Sequence, residues 1–161
     1  MLILGVDPGT VTTGYGIVRK RNPSPVFVAG GIIRPGSSKP QPERLLVIHT
    51  ALEKIISEFQ PSVMVVESLF HSVNSQSLIK LGQVRGVILL LGASHGMDVV
   101  EYSPREIKRG ITGYGQADKT QMIYMVRKIM RIDDLKSPDQ ADALAMATFH
   151  AHSHIADKVA T

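Results

Sequence analysis

The feature that most constrains the fold is an apolar run at the start of the chain that ends in a carboxylate. Leu2 to Val6 is continuously apolar, and Asp7 follows directly, before Pro8 and Gly9. A continuous apolar run is typical of a strand covered on both faces of a sheet. Because a charged group beside a core is costly unless it is paired or binds a cation, Asp7 needs a partner. The run therefore predicts a buried strand with chemistry at its end.

A second short apolar run also ends in an acid. Residues 63–66 form this run, Glu67 follows it, and a helical pattern between Pro40 and Pro61 precedes it. A right-handed strand, helix, strand crossover places parallel strands near each other. We therefore expect Asp7 and Glu67 at the same sheet edge, which is where ligands bind in open α/β sheets.

The remaining patterns predict an α/β fold in one domain, residues 1–161. Strands at 12–20 and 25–33 would form a three-stranded meander with the first strand. Further elements are predicted after the second acid: helices at 75–93, 104–109, 117–130 and 138–151, and a strand at 97–102. The patterns together predict five strands.

Two more carboxylates lie at the start of the last predicted helix. Ser137 is a suitable N-cap, with proline directly after it and Gln three positions on. Asp139 and Asp142 are three apart, so their side chains share a helix face, where the helix dipole also favours acids. If this helix packs beside the strand ends, it brings these two acids to Asp7 and Glu67.

Four clustered carboxylates predict a divalent cation site. Two unpaired like charges about 4 Å apart repel by about 4 kcal/mol at an effective dielectric constant near 20. Oxygen ligands without His or Cys favour Mg²⁺ or Mn²⁺. Two such ions about 4 Å apart can activate a water and stabilise the leaving oxygen of a phosphodiester. The alternative for any single acid is ordinary capping of a helix or turn.

Composition permits nucleic-acid binding and excludes disulfides. The chain has 18 Lys and Arg against 14 Asp and Glu, and a net charge of +4, which allows contact with nucleic acid without requiring it. It has no cysteine, which excludes disulfides and thiolate metal sites. We find no secretory leader and no apolar run near the roughly 20 residues that cross a membrane. We expect a cytoplasmic protein without membrane contact.

Five segments carry a resemblance to a known family, and they are Leu4 to Gly9, Thr13 to Gly16, Val66-Glu67, Leu81 to Val87, and Ala141 to Ala145. In order and spacing the chain resembles the bacterial Holliday-junction resolvases of the RuvC family, from residue 2 to about residue 152. The resemblance implies a ribonuclease H-like α/β fold, which is a five-stranded mixed sheet flanked by helices with an antiparallel second strand. It also implies that the four metal-binding acids of the family, with two Mg²⁺ ions that Mn²⁺ can replace, correspond to Asp7, Glu67, Asp139 and Asp142.

The resemblance further implies an activity and its partners. The family is a homodimer that nicks two opposed strands of a four-way DNA junction during recombination and repair, leaving 5′-phosphate and 3′-hydroxyl ends. It works beside a branch-migration motor of the RuvA and RuvB type. A two-fold dimer matches the approximate two-fold symmetry of a junction. Our candidate interface is the helix at 75–93, with Gly82 and Gly86; the alternative is that this helix packs closely against its own sheet.

Five residues are candidates for contact with DNA. Lys108 and Lys119 match lysines that the family uses near the scissile phosphate, and Lys119 would neutralise charge that develops there. The resemblance assigns Phe70 to the junction centre, where its ring would stack on bases; the alternative is a local apolar plug. Lys80 and Arg85 would add phosphate contacts. The alternative for each basic residue is a solvated helix surface.

Other interpretations fit parts of the sequence. A nuclease of the same fold that processes RNA or cleaves RNA–DNA hybrids would use the same acids. An actin or sugar-kinase type ATPase would use Asp7 to Thr10 as a phosphate-binding turn, but it needs two such domains. A non-catalytic junction-binding module needs no clustered acids, since acids repel phosphates. The tract of His150, His152 and His154 is not expected to bind metal, because only the first and last share a helix face.

Overall fold

A computed structural model describes residues 1–68, 75–135 and 137–156. Its strands are β1 (Leu2–Asp7), β2 (Thr13–Arg19), β3 (Val26–Ile33), β4 (Val63–Glu67) and β5 (Asp98–Tyr102). Its helices are α1 (Gln41–Phe59), α2 (Ser75–Ser94), α3 (Pro104–Thr112), α4 (Lys119–Met130) and α5 (Pro138–Ala156).

The strands form one mixed sheet in the order β3-β2-β1-β4-β5, with β1 at its centre. β1 pairs antiparallel with β2 and parallel with β4, and β4 pairs parallel with β5. Val6 is in register with Val66, so the acids that follow these valines leave the sheet side by side. The predicted meander and the predicted common edge are both confirmed.

Apolar side chains on the two sheet faces form two cores. Ile3 and Val65 pack with α3, α4 and α5, whereas Leu4, Val6 and Val66 pack with α1 and α2. Side chains alternate along a strand, so the residues two and four positions beyond Val65 and Ile3 point toward the same face as they do. This alternation directs Glu67 and Asp7 toward the face that carries α3, α4 and α5.

Glycines of β1 and β2 let α5 lie directly on the sheet. A Cβ atom on Gly5 would stand 1.9 Å from the carbonyl oxygen of Ala143, and one on Gly14 would stand 2.0 Å from that of Asp139. A Cβ atom on Gly16 would stand 2.6 Å from the side chain of Leu144. Only residues without a side chain fit this contact, so these glycines set the height of α5 above the strands.

The boundaries of α3, α4 and α5 differ from the predicted ones, and caps decide the differences in α3 and α4. α3 runs on to Thr112 and ends at Gly113, which has a φ of 80°. α4 begins at Lys119 rather than at 117, because Asp118 is its N-cap. α5 continues to Ala156, five residues beyond its predicted end.

α2 is long and apolar enough to cross a membrane by length and composition. The expectation that no apolar run comes near that length is therefore wrong. The side chains of Val84, Ile88 and Leu91 bury one face of α2 in the core beneath the sheet. Ile79 and Leu90 are 63% and 67% exposed, so the helix also has an uncovered apolar face.

Candidate active site

The four predicted acids border one pocket of about 330 Å³. They come from three elements: Asp7 ends β1, Glu67 ends β4, and Asp139 and Asp142 lie in the first turns of α5. The lining of the pocket is Asp7, Glu67, Pro104, Ile107, Lys108, Lys119, Met122, Asp139, Asp142 and Met146. The structure thus brings together all four acids and the two predicted lysines, Lys108 and Lys119.

Caps fix where each helix enters the pocket. The Ser137 hydroxyl accepts a hydrogen bond from the Gln140 amide at 3.4 Å, as the sequence predicted for the start of α5. Asp118 accepts from the Gln121 amide at 2.8 Å, and the Gln121 side chain accepts from the Asp118 amide at 2.9 Å. This capping box starts α4 and so places Lys119 at the pocket.

Burial and like charges hold a proton on Asp7. Burial is the larger cause, and together with the neighbouring carboxylates it raises the pKa of Asp7 to about 8. Among those carboxylates Asp142 contributes most, followed by Glu67 and Asp139. Lys119 acts in the opposite direction and lowers the pKa of Asp7. The cost of ionising this group therefore comes first from burial and then from the neighbouring carboxylates, which Lys119 offsets only in part.

The pKa values of two further acids of the pocket are also raised. Burial raises the pKa of Glu67, and the charge of Asp142 adds to the rise. Burial also raises the pKa of Asp142, whereas Lys119 and Lys108 lower it. A cation among these oxygens would favour their ionised forms and so offset both causes. Within residues 1–68, 75–135 and 137–156, no three His, Asp or Glu side chains already stand in the spacing of a metal cluster.

Arg85 is not on the helix surface, so that alternative is wrong for this residue. It is 8% exposed, and its guanidinium donates to the main-chain carbonyl of Glu67 and pairs with the Glu101 carboxylate at 2.5 Å. These contacts give no support to a phosphate contact by Arg85. Lys80 is exposed on α2, and its phosphate contact stays a prediction.

The remaining residues singled out in the sequence either do not line this pocket or lie outside the described residues. Phe70 lies outside the described residues, so its stacking role stays a prediction. His150 is buried, and its Nδ1 lies 2.9 Å from the Tyr102 hydroxyl. Burial lowers the pKa of His152, and the side chain of His154 lies outside the described part of the chain.

The sequence analysis missed the glycines beneath α5. A glycine inside a strand pattern signals either a bulge or close approach of another backbone. Gly5 is opposite Gly16 in the β1–β2 ladder, and Gly14 is opposite Asp7. That clustering of glycines on two adjacent strands was the available signal for a helix packed against them.

Known proteins resemble this chain over most of its length. The family model of the crossover junction endodeoxyribonuclease RuvC matches residues 3–150. The RuvC of Desulfitobacterium hafniense is 44% identical over 154 residues, which cover 95% of this chain and 93% of that protein. The RuvC of Chloroherpeton thalassium is 44% identical over 148 residues, which cover 91% of this chain and 80% of that protein.

A solved structure gives the same result for the fold. The Thermus thermophilus RuvC in complex with a Holliday junction substrate superposes with a TM-score of 0.89 at 28% identity, covering 97% of this chain and 96% of that chain. The expected ribonuclease H-like fold is thereby confirmed. The chain belongs to the RuvC family of crossover junction endodeoxyribonucleases.

Proposed function

We propose that this chain resolves four-way DNA junctions as a homodimer, with each protomer hydrolysing one phosphodiester at a site that holds two Mg²⁺ ions. The observation that carries the proposal is the pocket in which four carboxylates from β1, β4 and α5 meet two lysines. Symmetrical nicks would leave 5′-phosphate and 3′-hydroxyl ends.

The residues present fit divalent ions. Nucleases of the RuvC family depend on divalent metal ions. The candidate ligands here are carboxylates only, which favours Mg²⁺, with Mn²⁺ as a substitute, over softer metals. Asp7, Glu67, Asp139 and Asp142 would hold the ions, which when bound would activate a water and stabilise the leaving oxygen. The raised pKa values of Asp7, Glu67 and Asp142 support a site built for added positive charge.

Two lysines add positive charge to the pocket besides that of the proposed metal ions. Lys108 and Lys119 come from α3 and α4 and line the same pocket as the acids. Their charges reach the acids, because both lower the pKa values of Glu67 and Asp142. We assign Lys119 to the scissile phosphate, where a fixed cation stabilises developing negative charge, and Lys108 to orientation of the same group.

The exposed face of α2 is our proposed dimer interface. Ile79, Gly82, Gly86 and Leu90 are spaced by three or four residues, so they share one face of the helix. A Cβ atom on Gly82 or Gly86 would meet no atom within 4 Å, so α2 packs against its own sheet through another face and not through these glycines. The exposed Ile79 and Leu90 would supply the apolar contact between protomers.

Other parts of the proposal rest on the family resemblance. Phe70 would stack on bases at the junction centre, and Lys80 would contact phosphates. We also expect the protein to work with a branch-migration motor of the RuvA and RuvB type and to be located in the cytoplasm.

A substrate comparison tests the proposed function. The protein is incubated with Mg²⁺ and a four-way junction, a linear duplex of the same sequence, or an RNA–DNA hybrid. We expect cleavage of the junction alone. Preferential cleavage of the hybrid would show instead an RNA-directed nuclease, and binding of the junction without cleavage would show a junction-binding module.

A further inference from the structure

Arg85 joins three elements around the strand end that carries Glu67. It lies in α2, it is 8% exposed, and one guanidinium nitrogen donates to the main-chain oxygen of Glu67. The other terminal nitrogen lies 2.5 Å from the carboxylate of Glu101 in β5. One side chain therefore ties α2 to the ends of β4 and β5.

The main chain after Glu67 is held from a second direction. The amide of Ser68 donates to the carbonyl oxygen of Tyr102 at 2.9 Å, and the Ser68 hydroxyl donates to the same oxygen at 3.1 Å. Glu67 is also in register with Tyr102 in the parallel β4–β5 ladder. The peptide that links Glu67 to Ser68 thus has its carbonyl held by Arg85 and its amide held by β5.

These contacts require an arginine. Its planar guanidinium offers separate nitrogens in a fixed fork, so it can serve a carbonyl and a carboxylate at once. A lysine has a single ammonium group on a flexible stem. A buried charge is also costly when it loses its partner, so the pairing with Glu101 keeps the guanidinium in place at the carbonyl of Glu67.

We propose that Arg85 is a positioning residue, which fixes the main chain of Glu67 so that its carboxylate stays at the pocket, and so links the α2 face to the active site. The proposal rests on the proposed function only in taking Glu67 as a group of the nuclease site. Arg85 then acts through Glu67 and touches neither substrate nor metal.

Hydrogen exchange of the metal-free protein tests this without any cleavage assay. The variants are Arg85→Lys, Glu101→Gln and, as a control, Arg21→Lys, an exposed residue in the β2–β3 turn. We expect the Ser68 amide of Arg85→Lys to exchange at least about tenfold faster, the scale of a lost hydrogen bond to a charged group. Glu101→Gln should show a smaller rise, and amides of β1 and α5 should keep their wild-type rates in all three.

Kinetics separate positioning from binding. At saturating junction we expect Arg85→Lys to cleave at least about tenfold more slowly. Its junction affinity, measured in an Asp7→Asn background that does not cleave, should stay within about twofold of the Asp7→Asn protein itself. The Arg21→Lys control should match the wild type in both measurements.

Three results would overturn the proposal. Weaker junction binding with a normal rate at saturation and normal Ser68 exchange would make Arg85 a phosphate contact. Faster exchange throughout the protein with normal activity per folded molecule would make it a packing residue. Unchanged exchange of the Ser68 amide would show that Arg85 does not hold the main chain at Glu67. A wild-type protein that cleaves no junction would refute the proposed function, while the exchange result would still decide the role of Arg85.

Discussion

Gly14 of β2 lies against the main chain of Asp139, so closely that a Cβ atom on Gly14 would stand 2.0 Å from the Asp139 carbonyl oxygen. Gly14 is also the ladder partner of Asp7. The missing side chain therefore brings the first turn of α5 down onto the strand that neighbours β1. Two acids that are 132 positions apart in the chain meet because of that contact.

The substitution Gly14→Ala tests this contact. The added methyl group must lift the start of α5 or shift β2, since the nearest atoms belong to the backbone. We expect a loss of about 1 to 3 kcal/mol in the free energy of unfolding, the cost of overpacking a well-packed site. We also expect junction cleavage to fall at least about tenfold, because displaced catalytic groups lose their geometry.

Gly31→Ala in β3 is a suitable control for that variant. The nearest atoms to a Cβ there belong to the ring of Tyr15, at 3.0 Å, and a side chain can move where a backbone cannot. Gly31→Ala should therefore reduce the free energy of unfolding and the rate of cleavage less than Gly14→Ala does. Equal effects of the two substitutions would show that Gly14 has no special role in placing α5.

The raised pKa of Asp7 predicts how stability depends on pH in the metal-free protein. The folded state keeps a proton on Asp7 up to about pH 8, whereas the unfolded chain releases it near its ordinary value of 3.8. The folded state therefore binds more protons between these values, and the free energy of unfolding falls as the pH rises. Divalent metal should reverse the loss, because it binds the ionised folded form.

The substitution Asp7→Asn removes the cost of ionising a buried carboxyl group at high pH. At pH 9 without metal, the free energy of unfolding of the variant should exceed that of the wild type by at least about 1 kcal/mol, since one pKa unit corresponds to about 1.4 kcal/mol. The difference should shrink toward zero near pH 4. Denaturant titrations at a series of pH values measure it, and a variant that is less stable than the wild type at pH 9 would contradict the assignment.

Lys119 should set the pH range in which the acids accept a metal ion. Its charge lowers the pKa values of Asp7, Glu67 and Asp142. In Lys119→Gln these acids should hold their protons to higher pH, so the midpoint of Mn²⁺ binding against pH should rise by about one unit. Calorimetry without DNA measures the midpoint. Lys119→Arg keeps the charge and should restore the wild-type value; a shift in both variants would exclude a purely electrostatic role.

The exposed face of α2 predicts the oligomeric state. Leu90→Asp should raise the dissociation constant of the dimer at least about thirtyfold, corresponding to the loss of roughly 2 kcal/mol at an interface hot spot. Leu46→Asp is a matched control, because Leu46 of α1 is 62% exposed and Leu90 is 67% exposed. Sedimentation equilibrium measures both. A monomeric wild type, or a Leu90→Asp protein that stays dimeric, would place the interface elsewhere.

Asp7 and Glu67 could be predicted from the sequence because each ends a short apolar run, and parallel strands bring such ends together. The start of α5 followed from Ser137 and the residues after it. The contact of α5 with the sheet could not be predicted in the same way, because it depends on Gly14 and on other glycines whose absent side chains leave no periodic pattern.

Arg85 shows a different limit of sequence analysis. A charged residue in an apolar helix usually lies at the surface, and the contacts that bury this one come from Glu67 and Glu101 on two other elements. Nothing in the local pattern of α2 indicates either partner. Conversely, Asp118, the acid directly before Lys119, has a simple local role as the N-cap of α4.

The most direct test of the account maps the nicks on all four strands of a labelled mobile four-way junction, with Mg²⁺, for the wild type and for Asp7→Asn. We predict paired nicks at symmetrical positions in two opposed strands for the wild type. The Asp7→Asn protein should bind the junction and leave every strand intact. Paired nicks that persist in Asp7→Asn, or wild-type nicks without symmetry between opposed strands, would contradict the account.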